Sequence, residues 1–187
     1  MKVNSLKTNT KPILLLGLGG HAKVLINILR LAGYDIKGAL SQDPLGTTVM
    51  GVSVLGDDND LESFNSNDIE LVNALGHLPN NNTREILFKA GKKNGFSFAN
   101  VIHPSAIIAE GVKFGEGIQI MAGAIIEPAV EIGDNSIVNT GANINHDTII
   151  GEHSHIAPGA VVCGGVNIGN GVFIGASSSL MAGVIVN

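Results

Sequence analysis

From residue 102 onward every sixth residue is apolar: Ile102, Ile108, Phe114, Ile120, Ile126, Ile132, Val138, Ile144, Ile150, Ile156, Val162, Ile168, Ile174, Leu180 and Val186. There is no insertion and no slip. With half of all residues apolar, fifteen such positions in a row arise by chance about once in 30,000, so the period is structural. Three places further on in each hexad glycine recurs, at Gly111, Gly117, Gly123, Gly141, Gly159, Gly165, Gly171 and Gly183. Four places on stands a small residue or valine, as at Ala106, Val112, Ala124, Val130, Ala142, Ala160, Val166 and Val172. Each hexad therefore reads as a short strand and a corner. The large aliphatic points inward, the small residue fits where the walls converge, and glycine supplies the backbone freedom of the corner. Three hexads close a triangular coil, and residues eighteen apart stack about 4.8 Å from one another. Repeats of this length stack into solenoids, so residues 101–187 are expected to form an all-β parallel β-helix.

The first hundred residues follow a different pattern. Apolar runs at Lys11–Leu16 and Glu70–Leu75 read as buried strands, Asp35–Leu40 as a further strand and Val52–Leu55 as a short extended piece. Residues 21–32 carry apolar side chains at 24, 25, 28, 29 and 32, one face of a helix that Gly33 ends. Residues 81–93 have helical character, with Gly95 near their end. The sum is an α/β domain over 1–100 with a small parallel sheet, half the size of a full dinucleotide fold.

Composition narrows the function classes. Only 4% of residues are aromatic and none is Trp, so an aliphatic core is expected. A net charge of −5 argues against nucleic acid or an anionic membrane as partner. The single cysteine, Cys163, excludes an internal disulfide. The polar start of the chain and the short run at Ile13–Leu16 fit neither a signal peptide nor a membrane span, and a cytoplasmic protein is expected.

Three motifs carry chemistry. Gly17–Lys23 (GLGGHAK) lies between a strand and a helix, where Gly19 and Gly20 let the backbone approach a phosphate at a positive helix end. A tight turn without a ligand remains the alternative, although His21 is not needed for one. The domain's size favours a single nucleotide or a nucleotide sugar over NAD. The second motif, Asn145-His146-Asp147, places an imidazole near a corner with a carboxylate beside it, as a general base needs. An exposed pair without a role is the competing reading. One coil above His146 stand Gly164 and Gly165, which are expected to leave room for a substrate and to expose amides to an oxyanion. The third, Glu152-His153-Ser154-His155, raises a metal site. The metal-dependent β-helix enzyme of the gamma-class carbonic anhydrase type uses two histidines five apart, a spacing absent here, so no metal is expected.

Taken together, GLGGH, VIHPSA at 101–106, NTGA at 139–142, HD at 146–147 and GEHSHIAPGA at 151–160 resemble the sugar O/N-acetyltransferases of the sialic acid O-acetyltransferase and the bacillosamine or perosamine N-acetyltransferase type. The resemblance spans nearly the whole chain. It implies a left-handed β-helix, a homotrimer with sites between neighbouring helices, acetyl-CoA as donor, and a nucleotide-linked 4-amino-6-deoxy sugar as acceptor. It further implies His146 as catalytic base with Asp147 as its partner, and Asn139 near the acceptor. His155, Gly164 and Ala176 then contact acetyl-CoA, while Gly19, Gly20, His21 and Gly76 hold the nucleotide sugar. Two features depart from the family. An acidic cluster after the second strand is reduced to Ser41-Gln42-Asp43-Pro44. The chain also stops at Asn187, two residues into a hexad, where relatives continue, so the C-terminal end is expected to be incomplete. The leading expectation is an N-acetyltransferase acting on a nucleotide-linked amino-deoxy sugar for surface glycans. A sugar O-acetyltransferase acting on sialic acid is the alternative within the class, and a non-catalytic nucleotide-sugar-binding β-helix the alternative outside it.

Overall fold

The computed structural model describes residues 11–77, 79 and 81–187. The polar stretch before residue 11, read above as no signal, lies outside the described residues. The chain divides into two units, one running to Gly76 with Asn81–Pro104, the other formed by His77–Asn80 with Ser105–Asn187.

The first unit is an α/β sheet domain. Its elements are β1 (Ile13–Leu16), α1 (Gly20–Leu31), β2 (Ile36–Leu40), β3 (Thr48–Val49), β4 (Val52–Gly56), β5 (Glu70–Asn73) and α2 (Thr83–Lys93), in the sheet order β3-β4-β2-β1-β5. β1 is apolar at all four positions and buried at all four, as befits a strand covered on both faces of a parallel sheet. It pairs in parallel with both β2 and β5. β1 leads outward to β2 and β4 on one side, whereas β5 adds on the other. The topological switch point, where α/β sheets bind ligands, therefore falls between β1 and β5. α1 buries Ala22, Leu25, Ile26, Ile28 and Leu29, and Gly33 follows its end at φ +78°. Two elements carry no period that the sequence reading used. The first is the edge strand β3, antiparallel to β4. The second is a 3-10 turn, Asp58–Ser63, capped by Asp57. The core corrects one expectation. Phe88, Phe96 and Phe98 sit in it among the leucines, with the Phe88 and Phe98 rings 4.4 Å apart, so it is not purely aliphatic.

The second unit is the left-handed parallel β-helix. One face stacks Ile107–Ile108, Ile125–Ile126, Asn143–Ile144, Val161–Val162 and Ser179–Leu180. The next stacks Lys113–Phe114, Glu131–Ile132, Ile149–Ile150, Asn167–Ile168 and Ile185–Val186. The third carries Gln119–Ile120, Ile137–Val138, His155–Ile156 and Phe173–Ile174. Every pairing joins residues eighteen apart, as Ile126 with Ile144 and Ile144 with Val162. Ile120, Ile132, Ile144, Ile156 and Ile168 line the interior, all buried as the hexad register requires. The small place of the hexad also admits hydroxyls. Ser136, Thr148 and Ser154 are wholly buried there. They donate to the carbonyls of Gly151, Cys163 and Gly169, which removes the cost of their burial.

Candidate active site

Each coil turns three corners, and from Gly111 onward the residue at each corner's tight point has positive φ, whether it is glycine or Ala129, Asn135, Asp147, His153 or Ser177. His146 and Asp147 make one such corner, after the strand Asn143–Ile144. Asp147 adopts φ +59°, a left-handed conformation that Asp tolerates better than most residues. That backbone swings its carboxylate back to the preceding side chain. The imidazole Nδ1 lies 2.8 Å from Asp147 Oδ2, and both side chains are about two-thirds exposed, at 67% and 68%. A carboxylate oxygen accepts in this bond, so Nδ1 carries the proton and Nε2 is the nitrogen that keeps a lone pair.

Gly164, one coil above, does not leave the open space expected there. A Cβ built on it would meet His146 Cε1 and Nε2 at 2.7 Å. The side-chain-free gap is therefore filled by the imidazole itself and does not wait for a substrate. The Gly165 amide donates to the His146 carbonyl at 2.9 Å, which removes it from the oxyanion donors and leaves Gly164 as the nearer candidate.

Asn139 and His155 come together on another part of the coil. The Thr140 amide donates to Asn139 Oδ1 at 2.7 Å, which turns the Asn139 amide group toward His155 Nε2, 3.0 Å away. His155 Nδ1 donates to the His77 carbonyl at 3.2 Å. Both ring nitrogens are thus engaged, and the buried ring stands edge-on to Phe173. Sequence reasoning missed His77, whose Nδ1 donates to the His153 carbonyl at 2.9 Å. It lies in a segment without periodicity. Ala176 is exposed on the corner that also carries Thr140 and Pro158, not on the His146 corner. Among the described residues no group of three or more His, Cys, Asp or Glu is placed to hold a metal ion.

In the first unit the glycine turn meets the end of β5. Gly17 has φ +95°, and a Cβ there would meet Leu75 Cδ2 at 2.6 Å. Gly76 lies against His21, its ideal Cβ 3.7 Å from the His21 Cβ. Gly19 and Gly20 face open space, and the first turn of α1 has no side-chain cap and no acidic residue. Its amides and positive dipole end suit an anion. Along the same sheet edge a cavity of about 480 Å³ is lined by Ser41, Gln42, Asp43, Asp57 and Asp60 among others. The acidic cluster thinned after β2 is thus rebuilt partly from the segment after β4, a juxtaposition that only the fold creates.

Comparisons with known proteins bear on both units. Residues 12–90 match the family described as the PglD N-terminal domain, and residues 129–164 match the bacterial transferase hexapeptide (six repeats). A histidine-to-alanine variant of GDP-perosamine N-acetyl transferase from Caulobacter crescentus, solved with CoA and GDP-perosamine, is 33% identical. It superposes with a TM-score of 0.80 over 94% of this chain and 90% of that one. PerB from the same organism, with the same two ligands, is 34% identical, with a TM-score of 0.76 over 94% and 91%. The acetyltransferase domain of PglB from Neisseria gonorrhoeae, in complex with acetyl coenzyme A, is 25% identical, with a TM-score of 0.77 over 94% and 93%. No curated protein matches the chain.

Proposed function

The chain belongs to the hexapeptide-repeat sugar acetyltransferases, and from that premise we propose that it transfers acetyl from acetyl-CoA to the 4-amino group of a nucleotide-linked amino-deoxy sugar. The observation that carries the reading is the His146–Asp147 pair, with its imidazole seated on Gly164. The neutral amine attacks the thioester carbonyl while His146 Nε2 takes its proton. The C–N bond forms, the C–S bond breaks, and the imidazolium returns the proton to the departing thiolate. The Gly164 amide is the candidate donor to the oxyanion. No acyl-enzyme is needed, and Cys163 has no part.

The nucleotide end is assigned to the turn Gly19, Gly20 and His21 with Gly76, at the switch point of the sheet. The uncapped helix start supports this assignment. Asn139 is assigned to the acceptor side, and His155, Gly164 and Ala176 to acetyl-CoA. These cofactor residues sit on more than one edge of the β-helix, so one chain offers no continuous wall for CoA. We therefore assign a homotrimer, in which a neighbouring β-helix completes the site. A cytoplasmic enzyme of surface-glycan biosynthesis is the matching cellular role; among the described residues no helix is long and apolar enough to cross a membrane.

The test is acetyl-CoA consumption against a panel of nucleotide 4-amino sugars, GDP-perosamine included, and sialic acids. Turnover of an amino sugar that is lost in His146→Ala is the expected result. Turnover of sialic acid alone would replace the reading by O-acetylation, and no turnover with any acceptor would overturn it.

A further inference from the structure

Arg84 is the buried charge that the chemistry above does not use. It is the second residue of α2 and only 3% exposed. The N-terminal turn of a helix disfavours a cation, and burial disfavours any charge, so this position opposes Arg84 twice. Burial pulls its guanidinium down to about 9, which still leaves it protonated at neutral pH. Its hydrogen bonds show what it holds. Nη1 donates to the carbonyls of Asn73 and Leu75, each at 2.7 Å. The Asn73 side-chain amide donates back to the Arg84 carbonyl at 2.7 Å. The sheet ladder reaches Ala74, whose amide donates to Leu16. Immediately beyond it, the guanidinium fixes the Leu75 carbonyl. Leu75 packs on Gly17 and Gly76 faces His21, so the clamped segment forms the wall opposite the glycine turn, at the β1–β5 switch point.

We propose that Arg84 is the positioning residue of the acceptor crevice, holding the Asn73–Leu75 end of β5 so that Leu75 and Gly76 shape the wall against which a nucleoside diphosphate lies on the glycine turn. The proposal rests on the reading that this turn binds the acceptor's nucleotide. One terminal nitrogen, Nη1, serves both carbonyls, and the planar guanidinium holds its two N–H groups in a fixed direction that the rotating ammonium of a lysine reproduces only in part.

The experiment measures GDP, UDP and CoA binding by calorimetry, with acceptor and acetyl-CoA KM, for the full chain and its Arg84→Met and Arg84→Lys variants. A thermal melt establishes that each is folded. Arg84→Met is expected to weaken GDP or UDP by at least about tenfold, the scale of one lost charged hydrogen bond, with Arg84→Lys intermediate. CoA affinity should stay unchanged. A folded Arg84→Met with wild-type nucleotide affinity overturns the proposal, and so does an equal loss for CoA and nucleotide. If Arg84→Met does not fold, Leu75→Ala decides, since it leaves the clamped carbonyl in place and removes the side chain that packs on Gly17. Wild-type nucleotide affinity in Leu75→Ala then overturns the proposal. Gly20→Val separates the two ideas. If it leaves nucleotide binding intact, the acceptor reading fails. If it weakens binding while the Arg84 and Leu75 variants do not, only the positioning role fails.

Discussion

At the scale of single residues, the candidate site depends on three features of two neighbours that make one imidazole available. Asp147 fixes the tautomer, the left-handed corner aims its carboxylate, and Gly164 gives the ring its seat. His146→Ala should lower kcat by about a hundredfold or more, the usual size of a general-base contribution. Asp147→Asn should cost less, because Asn tolerates the same left-handed backbone and removes only the charge. Gly164→Ala should lower kcat in a folded protein, because its Cβ overlaps the ring at 2.7 Å. Unchanged kcat there would mean that the ring position has no catalytic weight.

At the scale of the elements, the hexads explain why such short strands persist. No two-residue strand is stable alone, and each gains its hydrogen bonds from the coils above and below. Ile144 is fully buried in that stack. Ile144→Asp should destabilise by about 4 kcal/mol or more, because it places an unpaired charge in an apolar wall. Chemical denaturation measures this, and a loss near zero would mean that the register is wrong. The corners make the opposite prediction. Ala129 adopts φ +61° without a side-chain hydrogen bond to justify it. Ala129→Gly should therefore raise stability by up to about 1 kcal/mol, the relieved strain less the added entropy of the unfolded glycine.

At the scale of the whole molecule, the assignment to a trimer follows from what one chain lacks. His146 projects from a convex corner, and Ile107, Ile149 and Val161 stand exposed on the outward faces of the β-helix. Light scattering at micromolar concentration should give a mass of three chains. An active monomer would remove the need for a second wall. The first unit makes a separable prediction. A Cβ at Gly20 meets nothing within 4 Å beyond its chain neighbours and the backbone of its own helix turn, so Gly20→Val should fold normally. It should raise the acceptor KM while leaving the acetyl-CoA KM in place, and equal effects on both would argue against a nucleotide site at the turn.

The sequence alone determined the β-helix, because a six-residue period is local and repeats on every strand. It also marked His146, Asp147 and Gly164 together, since stacking at eighteen residues converts spacing into contact. The strands and helices of the first unit were legible from apolar runs and glycine stops, whereas β3 and the 3-10 turn carry no period. Only the tertiary structure decided what lies beyond that arithmetic. It showed that the gap at Gly164 houses the imidazole, that both nitrogens of His155 are engaged by Asn139 and His77, and that Phe88, Phe96 and Phe98 complete the first core. It also showed that Arg84 holds the end of β5. The physical reason is common to all of these. Each depends on a side chain's direction and on a partner at no fixed separation along the chain, and periodicity encodes neither.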